Sequence, residues 1–315
     1  MTTYWQLLMI VAPVFALVAL GVVLRRVRWI DENAENGLLR LVVGVTYPCL
    51  IFESVVNNTA LRAPGNLTLS PLVGFVTTVF GVATAFYGGK LLGLTVGTGL
   101  RTFALATGIC NYGYLALPIM EGLFGKESQG VLLVHNVGVE AALWTVGLLV
   151  LSGLSLREGW PRLINPPVVT LVVAVVANLT GAGAWIPAPL QQVIHALAQC
   201  AIPLGLLMTG SSIEPHLEKP ARLFEPRITL GACALRLLLI PVGFLLLARW
   251  LPAPVELKRV LVVQAAMPSA VFPIVLARVY GGQPFTAVQI VVGTTAVGIL
   301  SIPFWLRLGL AWVGV

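Results

Sequence analysis

The chain has 315 residues, of which 58% are hydrophobic and only 10% are charged, and its mean hydropathy is +0.94. Ordinary soluble domains carry about 25% charged residues, so this composition excludes a water-soluble fold. The net charge of +7 does not indicate nucleic-acid binding, because the Lys and Arg residues are scattered between apolar runs rather than gathered in one basic patch. The chain is therefore predicted to be an all-α, multi-pass membrane protein surrounded by lipid.

Ten apolar runs follow one another, separated by charged or Pro- and Gly-rich residues. A membrane-spanning helix needs about 20 apolar residues. Spanning strands would be about 10 residues long with alternating polarity, which these runs do not show. We therefore predict ten helical spans, numbered 1 to 10, at residues 5–24, 37–56, 70–92, 101–120, 130–152, 165–182, 189–211, 228–250, 258–280 and 285–309.

The distribution of basic residues predicts the orientation. No basic residue precedes span 1, while Arg25 and Arg26 follow it, which is the reverse of a cleaved signal peptide. With the N-terminus outside, twelve Lys and Arg residues fall on the inner side and six on the outer side. Because cytoplasmic loops carry the excess of positive residues, we expect both termini outside. The expected location is the plasma membrane, in particular a bacterial inner membrane.

Proline positions indicate an internal repeat. Spans 1–5 map onto spans 6–10 at an offset of 155 residues, which matches Pro48 with Pro203, Pro71 with Pro226 and Pro118 with Pro273. Because five spans is an odd number, the two halves would insert with opposite orientation, which is typical of secondary transporters. We expect residues 1–155 to form the first repeat and residues 156–315 the second. Coincidence among common membrane prolines is the alternative.

Spans 4 and 9 each contain a helix-breaking sequence near mid-bilayer. Span 4 has Asn111-Tyr112-Gly113 followed by Pro118, and span 9 has Pro268-Ser269. Proline removes a backbone donor and clashes with the preceding turn, so we expect Pro118 and Pro268 to hold two breaks open. Unwound backbone is tolerated in hydrocarbon only when it is buried in protein or lines a wet cavity. The alternative is two kinks used only for packing.

The run from Asn111 to Pro118 resembles the span-4 motif of the auxin efflux carriers, in the bile-acid/auxin-carrier superfamily. Asn165-Pro166-Pro167 at the start of span 6 is similar to that family, as is the end of span 9 at residues 276–280. The resemblance implies two broken helices, 4 and 9, that cross at the substrate. It also implies a scaffold of spans 1, 2, 6 and 7, a mobile unit of spans 3–5 and 8–10, and often a homodimer.

The same resemblance implies the substrate class and its binding residues. Family members export auxin in plants, and bacterial relatives are linked to malate, malonate and other carboxylates. Residues 156–164 stand where the long plant carriers have a hydrophilic loop. The implied binding asparagine matches Asn111, and two further polar positions match Asn136 and Ser54. The candidate substrate-binding residues are therefore Asn111, Tyr112, Gly113, Pro118, Asn136, Ser54, Pro268 and Ser269.

Ionisable residues inside the spans are candidates for coupling. Glu140 lies at mid-depth in span 5, one helical turn after Asn136, with His135 close by, and Arg236 lies within span 8. Charged groups in the bilayer usually face a cavity or a partner. Glu140 or His135 can carry a proton in one interpretation. In the other, Glu140 and Arg236 form a fixed ion pair. Gln264, one turn before Pro268, can also line the pocket.

The functional hypotheses follow from these patterns. We expect a secondary carrier of a small organic anion that works by alternating access and is not an enzyme, since the HExxH and GxSxG motifs are absent from the sequence. The four cysteines form no CxxC pair, so no metal or other cofactor is expected. A sodium-coupled organic-anion symporter of the bile-acid type is the neighbouring alternative, and a channel is a further one.

Overall fold

The computed structural model describes residues 3–152, 164–217 and 224–315, and the regular elements in these ranges are helices. The predicted linker between the two halves, residues 156–164, lies almost wholly outside these ranges. The middle of the break between spans 7 and 8 also lies outside them. The main helices of the described ranges are α1 (Tyr4–Arg26), α2 (Glu32–Val56), α3 (Pro64–Leu91), α4 (Leu100–Gly108), α5 (Ala116–Ser152), α6 (Pro166–Thr180), α7 (Ala188–Leu217), α8 (Pro226–Trp250), α9 (Val255–Ala266), α10 (Phe272–Val279) and α11 (Pro284–Val313).

Seven of these helices are long and apolar enough to cross a membrane, namely α1, α2, α3, α5, α7, α8 and α11, and α6 is a shorter apolar helix. Their outward faces carry large hydrophobic side chains, such as Val172 and Val176 of α6, which are 59% and 54% exposed. An apolar exterior is what a bilayer requires. The prediction of an all-helical, multi-pass membrane protein is confirmed.

Several helices extend beyond the predicted spans. Helix α2 begins at Glu32 rather than residue 37, because the side chain of Asp31 accepts a 2.7 Å hydrogen bond from the Ala34 amide and caps the helix. Helix α3 begins at Pro64 rather than residue 70, and α7 continues to Leu217 rather than ending at residue 211. The apolar runs mark the parts of the helices that face hydrocarbon, and additional polar turns extend the helices beyond these runs.

The predicted loop between spans 4 and 5 is instead a sharp reversal at one glycine. Gly125 has φ 77° and ψ −179° inside α5, a conformation open to glycine. Gln129 Nε2 donates to Leu117 O at 3.4 Å and to Glu121 Oε2 at 3.0 Å. A straight helix would separate Gln129 from Leu117 by about 18 Å, so the chain folds back at Gly125.

The helices pack in two groups. In one group, α1 runs along α7, and α2 contacts α6 and α7. In the other, α3 packs on α4 and α5, while α8, α9 and α11 pack together and α9 also contacts α5. A Cβ on Gly210 would lie 1.9 Å from Val18 O, and one on Gly138 would lie 1.7 Å from Pro71 O. These glycines therefore permit the close helix approaches typical of membrane proteins.

Candidate functional site

Two non-helical segments interrupt the predicted spans 4 and 9. Residues 109–115 separate α4 from α5, and residues 267–271 separate α9 from α10. Ile109 and Met267, the first residue of each segment, are extended, with ψ 119° and 139°. Met267 precedes Pro268, whose ring disfavours helical backbone at the residue before it. We call these two segments together the crossover.

The two segments satisfy each other's backbone. Asn111 N donates to Pro268 O at 2.7 Å, and Ala270 N donates to Ile109 O at 3.0 Å. These bonds flank an antiparallel bridge between Cys110 and Ser269. Because no water is available in hydrocarbon, open backbone needs such internal partners. The interruptions are therefore one structural unit rather than two separate kinks.

The two prolines have different positions relative to the breaks. Pro268 lies within its non-helical segment and supplies the carbonyl that accepts from Asn111. Pro118 is the third residue of α5, where the first amides of a helix lack intrahelical partners in any case. Its ring therefore fits the first turn of the following helix, and the expectation that Pro118 holds the first break open stays a prediction. Pro273, the second residue of α10, is placed in the same way.

Buried amide side chains surround the crossover. Asn136 Nδ2 donates to Tyr112 O at 2.9 Å, and its Oδ1 accepts from Gln264 Nε2 at 3.3 Å. Gln264 Nε2 also lies 3.4 Å from Tyr112 O, and Gln264 Oε1 accepts from the thiol of Cys110 at 2.8 Å. The sequence pattern assigned no contact to Cys110. The polar Gln264 within an apolar run was the available signal for this network.

Five predicted binding residues lie in the crossover, where Asn136 contacts it, namely Asn111, Tyr112, Gly113, Pro268 and Ser269. Asn111 is 7% exposed, and its side-chain oxygen lies 3.4 Å from the amide of Leu115. Ser269 is fully buried, and its amide donates to Thr294 Oγ1 at 3.2 Å. Gly113 accepts from Leu117 N through its carbonyl oxygen. Thr294 on α11 is a contact that the sequence pattern did not indicate.

The predicted coupling residues occupy separate environments. Tyr112 Oη donates to Glu140 Oε1 at 2.5 Å, and Trp144 Nε1 donates to Glu140 Oε2 at 2.8 Å. Arg236 instead donates to the Met267 and Gln264 carbonyl oxygens, each at 2.9 Å. The alternative of a fixed Glu140–Arg236 ion pair is therefore wrong, because each side chain is held by other groups.

His135 lies next to Asn136 but on another face of α5. Its side chain is 1% exposed, and neither ring nitrogen has a hydrogen-bond partner among the described residues. Its carbonyl oxygen approaches Gly74 of α3. Asn136 therefore contacts the crossover, whereas no hydrogen bond among the described residues joins the His135 ring to it.

Ser54 lies away from the crossover. Its hydroxyl donates to Gln129 Oε1 at 3.0 Å near the C-terminal end of α2. Gln129 precedes Asn136 by about 10 Å along α5 at 1.5 Å per residue. The structure therefore does not bring Ser54 together with Asn111 and Asn136.

One ion pair joins the two helix groups at the same end of α2. Glu53 Oε1 lies 2.7 Å from Lys126 Nζ of α5, and 2.8 Å from His195 Nδ1 of α7, which belongs to the same group as α2. We call Glu53, Lys126 and His195 the α2 clamp. Pro118 and Glu121 line a cavity of about 350 Å³ beside it, together with Leu50, Glu53, Gly122, Lys126, Ala198, Gln199, Ile202 and Pro203.

A larger cavity elsewhere among the helices is apolar, unlike the crossover. A cavity of about 450 Å³ between α8 and α11 is lined mainly by apolar side chains such as Leu230 and Phe304. Within the described ranges, no group of three or more His, Cys, Asp and Glu side chains is arranged to hold a metal ion.

The sequence is similar to known membrane transporters over nearly its whole length. A family described as membrane transport protein matches residues 6–158 and 154–306. An uncharacterized transporter of Methanothermobacter thermautotrophicus is 27% identical over 307 residues, covering 94% of this chain and 96% of that protein. An uncharacterized transporter of Methanocaldococcus jannaschii is 23% identical over 303 residues, again covering 94% and 96%.

Proposed function

The chain belongs to the membrane transport protein family of the auxin efflux carriers, and from this premise we propose that it is a secondary carrier of a small organic anion. The carried compound is a carboxylate, either a dicarboxylate or an auxin-like acid. It binds at the crossover, and the carrier works by alternating access in the plasma membrane, with both termini outside.

The helix pattern supports ten spans in two inverted halves. Helix α4 and the part of α5 before Gly125 together have the length of one interrupted span, as do α9 and α10. The part of α5 after Gly125 makes another. With α1, α2, α3, α6, α7, α8 and α11, this gives ten. Two interrupted spans at corresponding places in the halves are the usual mark of a transporter binding site.

The observation that carries the proposal is the backbone pairing of the two interruptions. Helices α5 and α10 both begin beside the paired segments, at Ala116 and Phe272. The first amides of a helix carry a partial positive charge. Two such helix starts, with the side-chain amides of Asn111 and Asn136 nearby, form a site that favours a carboxylate.

Glu140 supports proton coupling at this site. Its carboxylate is joined to the crossover through the hydroxyl of Tyr112, so a charge on Glu140 opposes an anion bound there. Protonation of Glu140 removes that opposition. Anion and proton would then be carried together, and the proton gradient would drive net flux.

The two helix groups support alternating access. The first group holds the spans of the proposed scaffold, and the second holds those of the proposed mobile unit. Contacts at the C-terminal end of α2, including Glu53 to Lys126 and Ser54 to Gln129, join the groups there. In the proposed orientation this end is external, so opening these contacts would admit substrate from outside.

The test is counterflow in proteoliposomes. Vesicles that contain the purified protein are loaded with unlabelled malonate, and entry of radiolabelled malonate is followed, with malate and indole-3-acetate in parallel. A carrier gives saturable counterflow with at least one of these acids. Flux of all three that never saturates would contradict a carrier and indicate a channel, and no flux would contradict the anion class.

The Asn111→Ala variant tests the site. It removes an amide whose oxygen accepts a long, 3.4 Å hydrogen bond from the Leu115 amide, so the cost to folding should be about 1 kcal/mol or less. Counterflow should fall to the background of empty vesicles. Asn33→Ala, at an exposed position of α2, is the matched control. Normal counterflow by a well-folded Asn111→Ala protein would defeat the site assignment.

A further inference from the structure

Arg236 is a completely buried cation that has no acidic partner among the described residues. It lies in a π-helical turn, Leu235–Leu239, in the middle of α8, and its exposure is 0%. No carboxylate oxygen of the described residues lies within 4.0 Å of its guanidinium. Burial of an unpaired charge is strongly unfavourable, so another source of negative potential must hold it.

The C-terminal end of α9 supplies that potential. Arg236 Nε and Nη2 donate at 2.9 Å to the carbonyl oxygens of Met267 and Gln264, respectively. These oxygens lie at the point where α9 ends, and the last carbonyls of a helix carry about half a negative charge. The guanidinium therefore caps the C-terminal end of α9 at the crossover.

The fold holds this arginine in place. A π-helical turn widens the helix and leaves its backbone bonding irregular. Trp305 Nε1 donates to the Leu237 carbonyl oxygen of that turn at 2.6 Å, and the ring of Phe244 lies 5.6 Å from the guanidinium carbon. The cation is thus fixed by its neighbours before any substrate binds.

We propose that Arg236 is the resident cation of the crossover and occupies the place that a coupling metal cation would take. Backbone oxygens at the C-terminal ends of half-helices are the groups that coordinate sodium in transporters with broken helices. Here the guanidinium satisfies the two oxygens of Gln264 and Met267. The site needs no sodium ion, and transport is independent of the sodium gradient. Only this statement about coupling rests on the proposed function.

The experiment is rescue of a vacated site by free guanidinium. Arg236→Ala removes the guanidinium donors of the Gln264 and Met267 carbonyls, of which only the Gln264 carbonyl keeps another donor, the Met267 amide at 3.3 Å. It also opens a space of the size of the lost side chain. The purified variant should unfold at a much lower temperature than the unaltered protein. Low-millimolar guanidinium chloride should restore most of that loss, because a ligand that binds the folded state stabilises it. Equal sodium chloride should restore much less.

Arg249→Ala is the matched control on the same helix. Arg249 is exposed, and its Nη1 donates to the Val313 carbonyl oxygen at 3.4 Å, away from the crossover. Guanidinium should not raise its unfolding temperature. Absence of rescue in a folded Arg236→Ala protein, or equal rescue of both variants, would overturn the proposal.

A sodium titration of the unaltered protein completes the test and needs no variant. Its unfolding temperature should be the same in sodium chloride and in choline chloride, and malonate counterflow should also be the same. A rise in unfolding temperature specific to sodium would overturn the proposal, even if Arg236→Ala cannot be purified. If malonate counterflow is absent but guanidinium rescue occurs, the anion assignment fails and the resident cation stands.

Discussion

The crossover and the α2 clamp both join polar groups across helices, but they do so in different surroundings. At the crossover, main-chain bonds such as Asn111 N to Pro268 O are buried among amide side chains. At the clamp, the side chains of Glu53, Lys126 and His195 are 21%, 47% and 56% exposed. Buried polar contacts are costly to break, whereas exposed ion pairs are worth about 1 kcal/mol or less.

This difference distinguishes the crossover, whose contacts should stay intact during transport, from the α2 clamp, whose contacts can open. Loss of the crossover would leave unpaired backbone in the middle of the protein. Loss of the clamp would expose charges to the headgroup region or water. We therefore expect the carrier to keep the crossover intact while the clamp opens and closes, and the following predictions test that division.

The largest effect is expected for Asn136→Leu at the crossover. It removes the 2.9 Å donor of the Tyr112 carbonyl and the 3.3 Å acceptor of Gln264 Nε2, and leaves these two groups only their mutual 3.4 Å contact. The loss of two buried hydrogen bonds should cost about 3 kcal/mol of stability. Thermal unfolding of the purified protein measures this, with Asn33→Leu at an exposed position as control. Equal stability of the two variants would show that the amide network does not hold the crossover.

Glu140→Gln should have an intermediate effect on stability and a large effect on the pH dependence of malonate counterflow. The new amide can still accept from Tyr112, but one of the two acceptors now used by Tyr112 and Trp144 becomes a donor. The expected cost is about 1 kcal/mol.

Malonate counterflow by Glu140→Gln should no longer change with pH, because the charge that opposes the anion is gone. Glu127→Gln, an exposed acid near the clamp, should keep the original profile. A pH profile unchanged by Glu140→Gln would leave Glu140 a structural role.

The smallest effect on stability is expected for Lys126→Met in the clamp. It removes a 2.7 Å pair with Glu53 at an exposed site, so the unfolding free energy should change by less than about 1 kcal/mol. The clamp should nevertheless open more often.

Hydrogen–deuterium exchange of residues 121–131 reports that opening. Exchange there should be faster in Lys126→Met than in Lys258→Met, a control outside the clamp, and exchange around residues 264–272 should not change. Faster exchange at the crossover, or exchange of residues 121–131 that is no faster than in Lys258→Met, would contradict the division between the two regions.

The sequence predicted much of the fold and part of the site, for identifiable reasons. Long apolar runs mark helices in lipid, so the helical class and most span positions could be predicted. Pro268 and the Asn111–Gly113 run are local signals, and α9 and α4 end at Ala266 and Gly108, close to them.

The contacts between distant segments could not be predicted from the sequence. Nothing in the local sequence shows that Arg236 caps α9 rather than pairing with Glu140, or that Tyr112 reaches Glu140 across 28 residues. The reversal at Gly125 was also missed, because a single glycine in a polar stretch reads as part of a loop.

The central claim is that the two interruptions are paired at the crossover, and a cross-link tests it most directly. Cys110 and Ser269 form the antiparallel bridge between flanking hydrogen bonds. In such a pair the Cα atoms lie about 4.5 Å apart, within the range that a disulfide spans. The measurement uses Ser269→Cys in a protein whose other cysteines, Cys49, Cys200 and Cys233, are replaced by serine.

Mild oxidation followed by mass spectrometry should find a disulfide between Cys110 and the introduced cysteine. Ala270→Cys, whose side chain points to the opposite face of its segment, should give little or none. A thiol at Cys110 that stays free in oxidised Ser269→Cys protein, or that cross-links equally in both variants, would contradict the paired crossover.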